Sequence, residues 1–420
     1  MSPRVQLLRR REDYQRHFSV LDLGSDLIKV LTVRRDGGEA VVLGVGREHM
    51  PAKALQGGAV VDVDGVIDAC NRALEASEDM AGVVPGQVVV SLGGELVKGF
   101  SSTVSYPRDR PDQKVRDQEL RNLLQLVEKR ALREAQNLLE AERSYGDLEA
   151  RLVHSSITGV RMDGYPMISP IGFQGRNLEV TVFNAFAPQT QVGATETVVR
   201  ELDLELTAAV TGTYAIARAC ASEETWEGGA VYVDVGGAAT EVALLRGGGV
   251  EGTRMFNLGG RTFTRRLALA LGVTTEEAEA RKLRHGDGLL NPQQDRQVRE
   301  VLVADVDVLL QGLNLCLREL GRGEELPPEV YFSGGGSLLP ELIDRAADGS
   351  WTRGLTFSGQ VAVGRLEPED VQGVADASGQ ISSPQDVAPL SLANHALRTD
   401  AEERDEVNTV MRGVLRSMHM

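Results

Sequence analysis

Residues Phe18 to Gly38 read FSVLDLGSDLIKVLTVRRDGG, and residues Ala230 to Gly248 read AVYVDVGGAATEVALLRGG. Each is an apolar strand ending in Asp-x-Gly, a short turn of small residues, a second β-rich strand, and an arginine-containing turn closed by Gly-Gly. One supersecondary unit therefore occurs twice, and such a repeat fixes architecture before local detail does. An aspartate beside a glycine turn at a strand end has a chemical use. Glycine lets backbone N–H groups approach an anion, and the carboxylate can hold a hydrated Mg²⁺ that neutralises phosphate charge. Two such hairpins face to face would clamp a polyphosphate, with Asp22 and Asp234 at the metal. Either hairpin alone is more often an ordinary turn, so the duplication carries the reading.

A third glycine cluster lies in EVYFSGGGSLLPELIDRA, Glu329 to Ala346. A strand, the exposed backbone of Gly334, Gly335 and Gly336, and a helix opened by Pro340 suit an anionic or ribose-bearing ligand.

The chain has 420 residues, enough for two or three structural units and a large interior. Its 42% hydrophobic and 25% charged residues are those of a globular protein, and 46 glycines imply many tight turns. A net charge of -16 disfavours a general binder of the phosphate backbone, so nucleic acid is not an expected partner. Cys70, Cys220 and Cys316 are widely separated, with no metal or disulfide spacing, as in a reducing compartment. The arginine-rich start, Met1 to His17, is followed by no signal-peptide core, and no apolar run reaches the roughly 18 residues of a membrane span. Any membrane contact is expected to be peripheral.

The three glycine-bearing segments, in this order, resemble the actin-like ATPase superfamily of actin, MreB, sugar kinases and DnaK-type chaperones. Further segments narrow the resemblance to the FtsA family of bacterial cell-division proteins. They are Gly57 to Gly94, His154 to Val182 with Asp163-Gly164, Pro170-Ile171-Gly172 and Gly175-Arg176, and Leu258 to Gly286 with its Ala-Glu-x-x-Lys. The resemblance runs from Phe18 to about Arg398. It implies an α/β, actin-like (ribonuclease H-like, duplicated) fold of two lobes with a small α+β subdomain inserted in the first.

The implied order is a basic extension (1–17), a first lobe (18–85 and 183–225) interrupted by the inserted subdomain (86–182), and a second lobe (226–256 and 329–398) carrying an outer subdomain (257–328). An acidic linker (399–405) and an amphipathic helix (406–420) follow. The inserted part contains a helical run from Val115 to about Tyr145, whose stripe of Leu120, Leu124, Val127, Ala131 and Leu138 faces a core or a second copy.

For the cleft, the resemblance implies ATP with Mg²⁺ held through water by Asp22 and Asp234. Phosphates would be held by Gly24, Ser25, Lys29, Gly236, Gly237 and Thr240, and the nucleoside by Glu279, Lys282, Gly334, Gly335 and Gly336. Lys29 alone would more often be a solvated strand residue. Departures from the family pattern are Ala238 and Ala239 in place of the last Gly and Thr of the second loop, and Pro389-Leu390-Ser391 where a glycine-containing helix start is expected. The connecting helix expected at Ala208 to Ala219 carries no acid or amide to position an attacking water, and because of Ala238 and Ala239 turnover is expected to be slow at most.

The end of the chain, VNTVMRGVLRSMHM, places Val407, Val410, Met411, Val414, Leu415 and Met418 on one helical face, with Arg412 and Arg416 off it. Such a helix lies in a bilayer interface or docks on a protein surface. The resemblance favours the membrane. It implies a protein on the inner face of the cell membrane that polymerises and tethers FtsZ through its C-terminal tail, with other division proteins and an anionic lipid surface as partners. Val303, Ala304 and Asp305 stand where the family carries Glu-Pro-Arg, so Asp305 is expected to repel an acidic tail, with Arg296 and Arg299 nearby. A PilM-like adaptor of a pilus or secretion machine and a phosphotransferase of the sugar-kinase branch are the alternatives.

Overall fold

A computed structural model describes residues 16–402, apart from 52, 57, 142–148 and 168. The strands are β1 (His17–Leu23), β2 (Leu27–Asp36), β3 (Glu39–His49), β4 (Leu55–Gln56), β5 (Ala59–Val60), β6 (Gln87–Ser91), β7 (Lys98–Pro107), β8 (Ala150–Met162) and β9 (Tyr165–Pro166). They continue with β10 (Asn177–Pro188), β11 (Glu205–Val210), β12 (Ala230–Val235), β13 (Thr240–Arg246), β14 (Gly249–Phe256), β15 (Glu329–Ser333), β16 (Ala362–Arg365) and β17 (Val374–Asp376).

The duplication seen in the hairpins extends to whole sheets. One sheet runs β11-β6-β1-β2-β3-β17 and the other β16-β15-β12-β13-β14-β7-β10-β8-β9. In each, an antiparallel three-strand meander (β1-β2-β3, β12-β13-β14) is flanked beside its first strand by a parallel strand (β6, β15) and then a second one (β11, β16). Both β1 and β12 read as continuous apolar runs because helices or neighbouring layers cover both of their faces.

The strand β6, placed by the sequence in the inserted subdomain, is a central strand of the first sheet, paired with β1 and β11. The inserted strands β7, β10, β8 and β9 continue the second sheet, joined to β14 through only Gly252 opposite Phe100 and Thr253 opposite Gly99.

Helix α1 (Val63–Ala81) starts at Asp62, whose side chain accepts the Gly65 N–H, and ends at Gly82 in the left-handed conformation. Its buried face of Val66, Ala69, Cys70, Ala73 and Leu74 packs on β2 and β3. The helical run in the insertion is α2 (Asp117–Ala141), while Val115 makes an isolated bridge to Ile171. Its stripe is core: Leu120, Leu123, Leu124 and Val127 are buried against β8 and β10, and Ala131 and Ala135 against Phe100 and Phe186. At about 2 kcal/mol for each large apolar side chain, this burial accounts for the stripe without a second copy.

Helix α3 (Gln189–Glu201) precedes β11, and the segment expected as one helix from Ala208 is strand to Val210, followed by α4 (Gly212–Ala219). The short α5 (Glu223–Gly228) follows. The outer part of the second lobe holds α6 (Gly260–Leu271), α7 (Thr275–Gly286) and α8 (Pro292–Gly321), the last capped by Asn291 with Pro292 at its first position. After β15 a 3₁₀ turn, Gly335–Leu338, leads to α9 (Pro340–Asp348).

The final helix, α10 (Val387–Glu402), packs with α4 between the two sheets, joining Phe18, Tyr214, Tyr232, Leu390 and Leu392 in one core. A 3₁₀ turn with a capping box, Ser383 to Asp386, starts it in place of the expected glycine, and Pro389 falls in its first turn, where proline costs no hydrogen bond. Residues 399–402, expected in a linker, are instead the end of this helix, whose backbone bonds continue through polar sequence. Residues 1–15 lie outside the described residues, as does the proposed membrane face of Val407, Val410, Met411, Arg412, Val414, Leu415, Arg416 and Met418. Among the described residues, no helix is long and apolar enough to cross a membrane.

Candidate functional site

The turns of the two hairpins meet across a cleft of about 260 Å³. In the first hairpin Asp22 lies directly across from Lys29, so both side chains share one face of the sheet. Lys29 Nζ donates to Asp22 Oδ2 at 2.9 Å, and Ser91 Oγ, from β6, donates to Asp22 Oδ1 at 2.8 Å. Burial pulls the Lys29 ammonium down, but Asp22, Asp234 and Asp386 outweigh it and hold Lys29 above its ordinary value.

In the second hairpin Asp234 lies across from Glu241. Ser333 Oγ, from β15, donates to Asp234 Oδ1 at 2.8 Å. Burial raises Asp234 above the usual carboxylate range against the pull of Lys29 and Ser333. Burial also pushes Glu241 up to about 7, with Asp234 and Asp22 adding to the shift and Thr213 opposing it.

The hairpins touch each other directly. The Ala238 N–H donates to Ser25 Oγ at 2.8 Å, and Arg261 Nε donates to Asp26 Oδ1 at 3.2 Å. A Cβ on Gly237 would stand 2.6 Å from the Asp26 Cβ, so this approach requires glycine. The third glycine turn closes the side of the cleft. Gly334 has φ +79°, and a Cβ there would stand 2.6 Å from Asp234 Oδ1. Gln385, from the turn before α10, lies beside Gly335. Further along the cleft, Lys282 Nζ donates to Glu279 Oε2 at 2.8 Å, Thr264 Oγ1 at 2.8 Å and the Gly260 carbonyl at 3.1 Å.

Of the residues expected at a ligand, Asp22, Gly24, Ser25, Lys29, Asp234, Gly236, Gly237, Glu279, Lys282, Gly334, Gly335 and Gly336 all line this one cleft. Thr240 does not. It is fully buried on the opposite side of β13 from Glu241, and its hydroxyl donates to the Leu258 carbonyl at 2.7 Å, so it braces the loop. The sequence reading missed Glu241, Ser91, Gln385 and the Asp26–Arg261 pair. The repeat itself marks Glu241, which stands at the place Lys29 holds in the first hairpin, whereas Ser91 comes from a distant strand with no local motif.

A second region differs from expectation. Asp305 on α8 is only 3% exposed and is ion-paired with Arg266 of α6, whose side chain is 59% exposed. The charge offered outward there is Arg266, so the repulsion expected from Asp305 has no exposed carboxylate behind it. Arg299 lies 3.6 Å from Asp344, and Arg296 is exposed.

The family described as Cell division protein FtsA matches residues 231–385, from the second hairpin through the third glycine turn to Gln385. Cell division protein FtsA of Streptococcus pneumoniae serotype 2 is 22% identical over 351 residues, covering 79% of this chain and 73% of that protein. The FtsA of Agrobacterium fabrum is 26% identical over 362 residues, 78% of each. The chain is thus similar to FtsA proteins along most of its length. Its two lobes have the actin-like ATPase fold. A solved structure titled PilM-PilN type IV pilus biogenesis complex superposes with a TM-score of 0.64 at 21% identity, covering 90% of this chain and 98% of that one, and at that identity it shares the fold alone. The FtsA match includes Asp234, Glu279, Lys282 and Gly334 to Gly336, whereas Asp22, Ser25 and Lys29 come from the lobe before it.

Proposed function

We propose that this FtsA relative binds ATP with Mg²⁺ in the cleft, polymerises in that state, and tethers FtsZ filaments to the inner face of the cell membrane. The carrying observation is the pair of facing Asp-x-Gly hairpins whose aspartates are each fixed by a serine from a neighbouring strand. The donor chemistry fits a hydrated Mg²⁺: carboxylates face the cleft, and the second hairpin has two of them with no cation across the strand. Among the described residues no cluster of three or more acids, histidines or cysteines forms a ligand set by itself. That suits a metal taking most of its oxygens from phosphate and water. The ion would neutralise phosphate charge, while Lys29 and the backbone of Gly24, Gly236 and Gly237 hold the phosphates. Glu279 and Lys282 face the nucleoside, with Gly334 to Gly336 closing its side.

The FtsZ tail would dock on the outer surface of the second lobe near Arg266 and Arg296, which offer positive charge to an acidic peptide. The anchor would be the terminal segment from Val407 to Met418, whose apolar face and flanking arginines suit an anionic bilayer interface. Each copy anchors weakly, and a polymer multiplies the attachment. Co-sedimentation with anionic liposomes tests this assembly. The full chain is expected to pellet with liposomes more completely with ATP than without it, and a chain ending at Arg404 is expected to stay in solution while still binding nucleotide. Equal pelleting by both chains would contradict the anchor.

A further inference from the structure

We infer that Glu241 holds and deprotonates the water that attacks ATP in this cleft. The inference rests on the ATP reading above and supplies what the sequence lacked, an acidic group at the start of the connecting helix. That helix, α4, begins at Gly212 with no acid or amide of its own. Glu241 reaches it from the other lobe: Thr213 Oγ1 donates to Glu241 Oε2 at 3.3 Å. The other oxygen, Oε1, lies so close to the first lobe that a Cβ on Gly93 would stand 2.6 Å from it. Because Asp234 and Glu241 are direct cross-strand partners, the carboxylate also shares a face with the aspartate proposed to organise the metal.

Behind Glu241 is a small cavity of about 10 Å³, bordered by Gly93, Thr211, Thr213, Glu241 and Thr253. That is room for about one water. Thr211 is 4% exposed, and its hydroxyl has no hydrogen-bond partner among the described residues. A water there finds two polar partners, the Thr211 hydroxyl and the Glu241 carboxylate, before it moves toward the phosphate.

In the step, the water oxygen bonds to the γ-phosphorus, and the bond from that phosphorus to the β–γ bridging oxygen breaks. The electron pair leaves with ADP, and the water proton passes to Glu241, which returns it to solvent. Lys29, in the matching place of the first hairpin, stays an ammonium and faces phosphate charge. The duplicated position thus carries a cation in one lobe and a base in the other.

The test compares the full chain with Glu241→Gln and Glu241→Asp, reading the affinity of a fluorescent ATP analogue and single-turnover hydrolysis with Mg²⁺. The amide of Glu241→Gln can still accept from Thr213, so a purely structural role predicts little change. The inference predicts analogue affinity within about threefold of the natural chain and hydrolysis reduced by at least about a hundredfold. Glu241→Asp should fall between them. Glu241→Gln hydrolysing at the natural rate, or a natural chain that binds ATP and never hydrolyses it, overturns the inference and leaves the cleft assignment standing. A natural chain that binds no ATP overturns both.

Discussion

Lys29 and Glu241 stand at the same place in the two hairpins, each directly across the strand pair from that hairpin's aspartate. The first pair, Asp22 with Lys29, is joined at 2.9 Å, whereas the second sets two carboxylates side by side. The cleft is therefore asymmetric in charge, and its second lobe is the side that calls for a cation. Replacing Asp234 by Asn keeps an acceptor for Ser333 and removes one charge. Titrations of ATP at several Mg²⁺ concentrations should then show a much weaker dependence on the metal than in the natural chain. An unchanged dependence would place the metal elsewhere.

Gly334 should be intolerant of any side chain. It has φ +79°, and its Cβ would meet Asp234 Oδ1 at 2.6 Å. Gly349, at the end of α9, has φ +72° with nothing within 4 Å of a Cβ, so Gly349→Ala isolates the backbone cost, about 1 kcal/mol. Denaturant unfolding should show Gly334→Ala losing about 2 kcal/mol or more, and ATP affinity should fall with it. Equal losses at the two glycines would show that the close approach to Asp234 has no energetic consequence.

Stability should decline from mildly acid to neutral pH, with Glu241 and His285 among the groups that carry the decline. The folded Glu241 binds its proton more tightly than an ordinary carboxylate at 4.5, so its contribution is complete below 4.5 and lost as pH rises to about 7. His285 donates or accepts between Asp295 at 2.7 Å and Glu341 at 2.8 Å, and its hydrogen bond to Glu341 leads the shift above 6.5. Its contribution is complete below 6.5 and lost as pH rises through the folded value. Unfolding measured at about pH 5 and about pH 7.5 should show a smaller difference in Glu241→Gln than in the natural chain, and likewise in His285→Gln. A pH difference unchanged in both variants would contradict these assignments.

Arg266 and Asp305 should respond unequally to substitution. Arg266→Ala leaves a buried carboxylate without its cation and should destabilise by about 3 kcal/mol, whereas Asp305→Ala leaves an arginine that is already 59% exposed and should cost less. If the tail site lies here, Arg266→Glu should weaken binding of an acidic FtsZ tail peptide in fluorescence anisotropy. Unchanged binding would move the site.

The fold was readable because the repeat is written in residues that strands and turns demand: apolar runs, Asp-x-Gly and Gly-Gly. Glu241 was readable too, since it stands as far after Asp234 as Lys29 does after Asp22, and so was the turning away of Thr240, since neighbours on a strand face opposite sides. Asp305 occupies the buried stripe of α8 with Val298, Leu302, Leu309 and Leu313, a period that places it inward whatever its charge. The join between β7 and β14 was not readable, because it rests on two backbone pairings at glycine-bearing positions with no side-chain pattern. The reach of α10 to Glu402 was hidden by polar residues that read equally as linker.

Calorimetric titration of the folded 420-residue chain with ATP, in the presence and absence of Mg²⁺, tests the central claim most directly. The account predicts saturable binding that strengthens with Mg²⁺ and weakens sharply in Asp22→Asn, which keeps an acceptor for Ser91 but removes the charge facing the cleft. No binding heat up to about millimolar ATP would contradict the account.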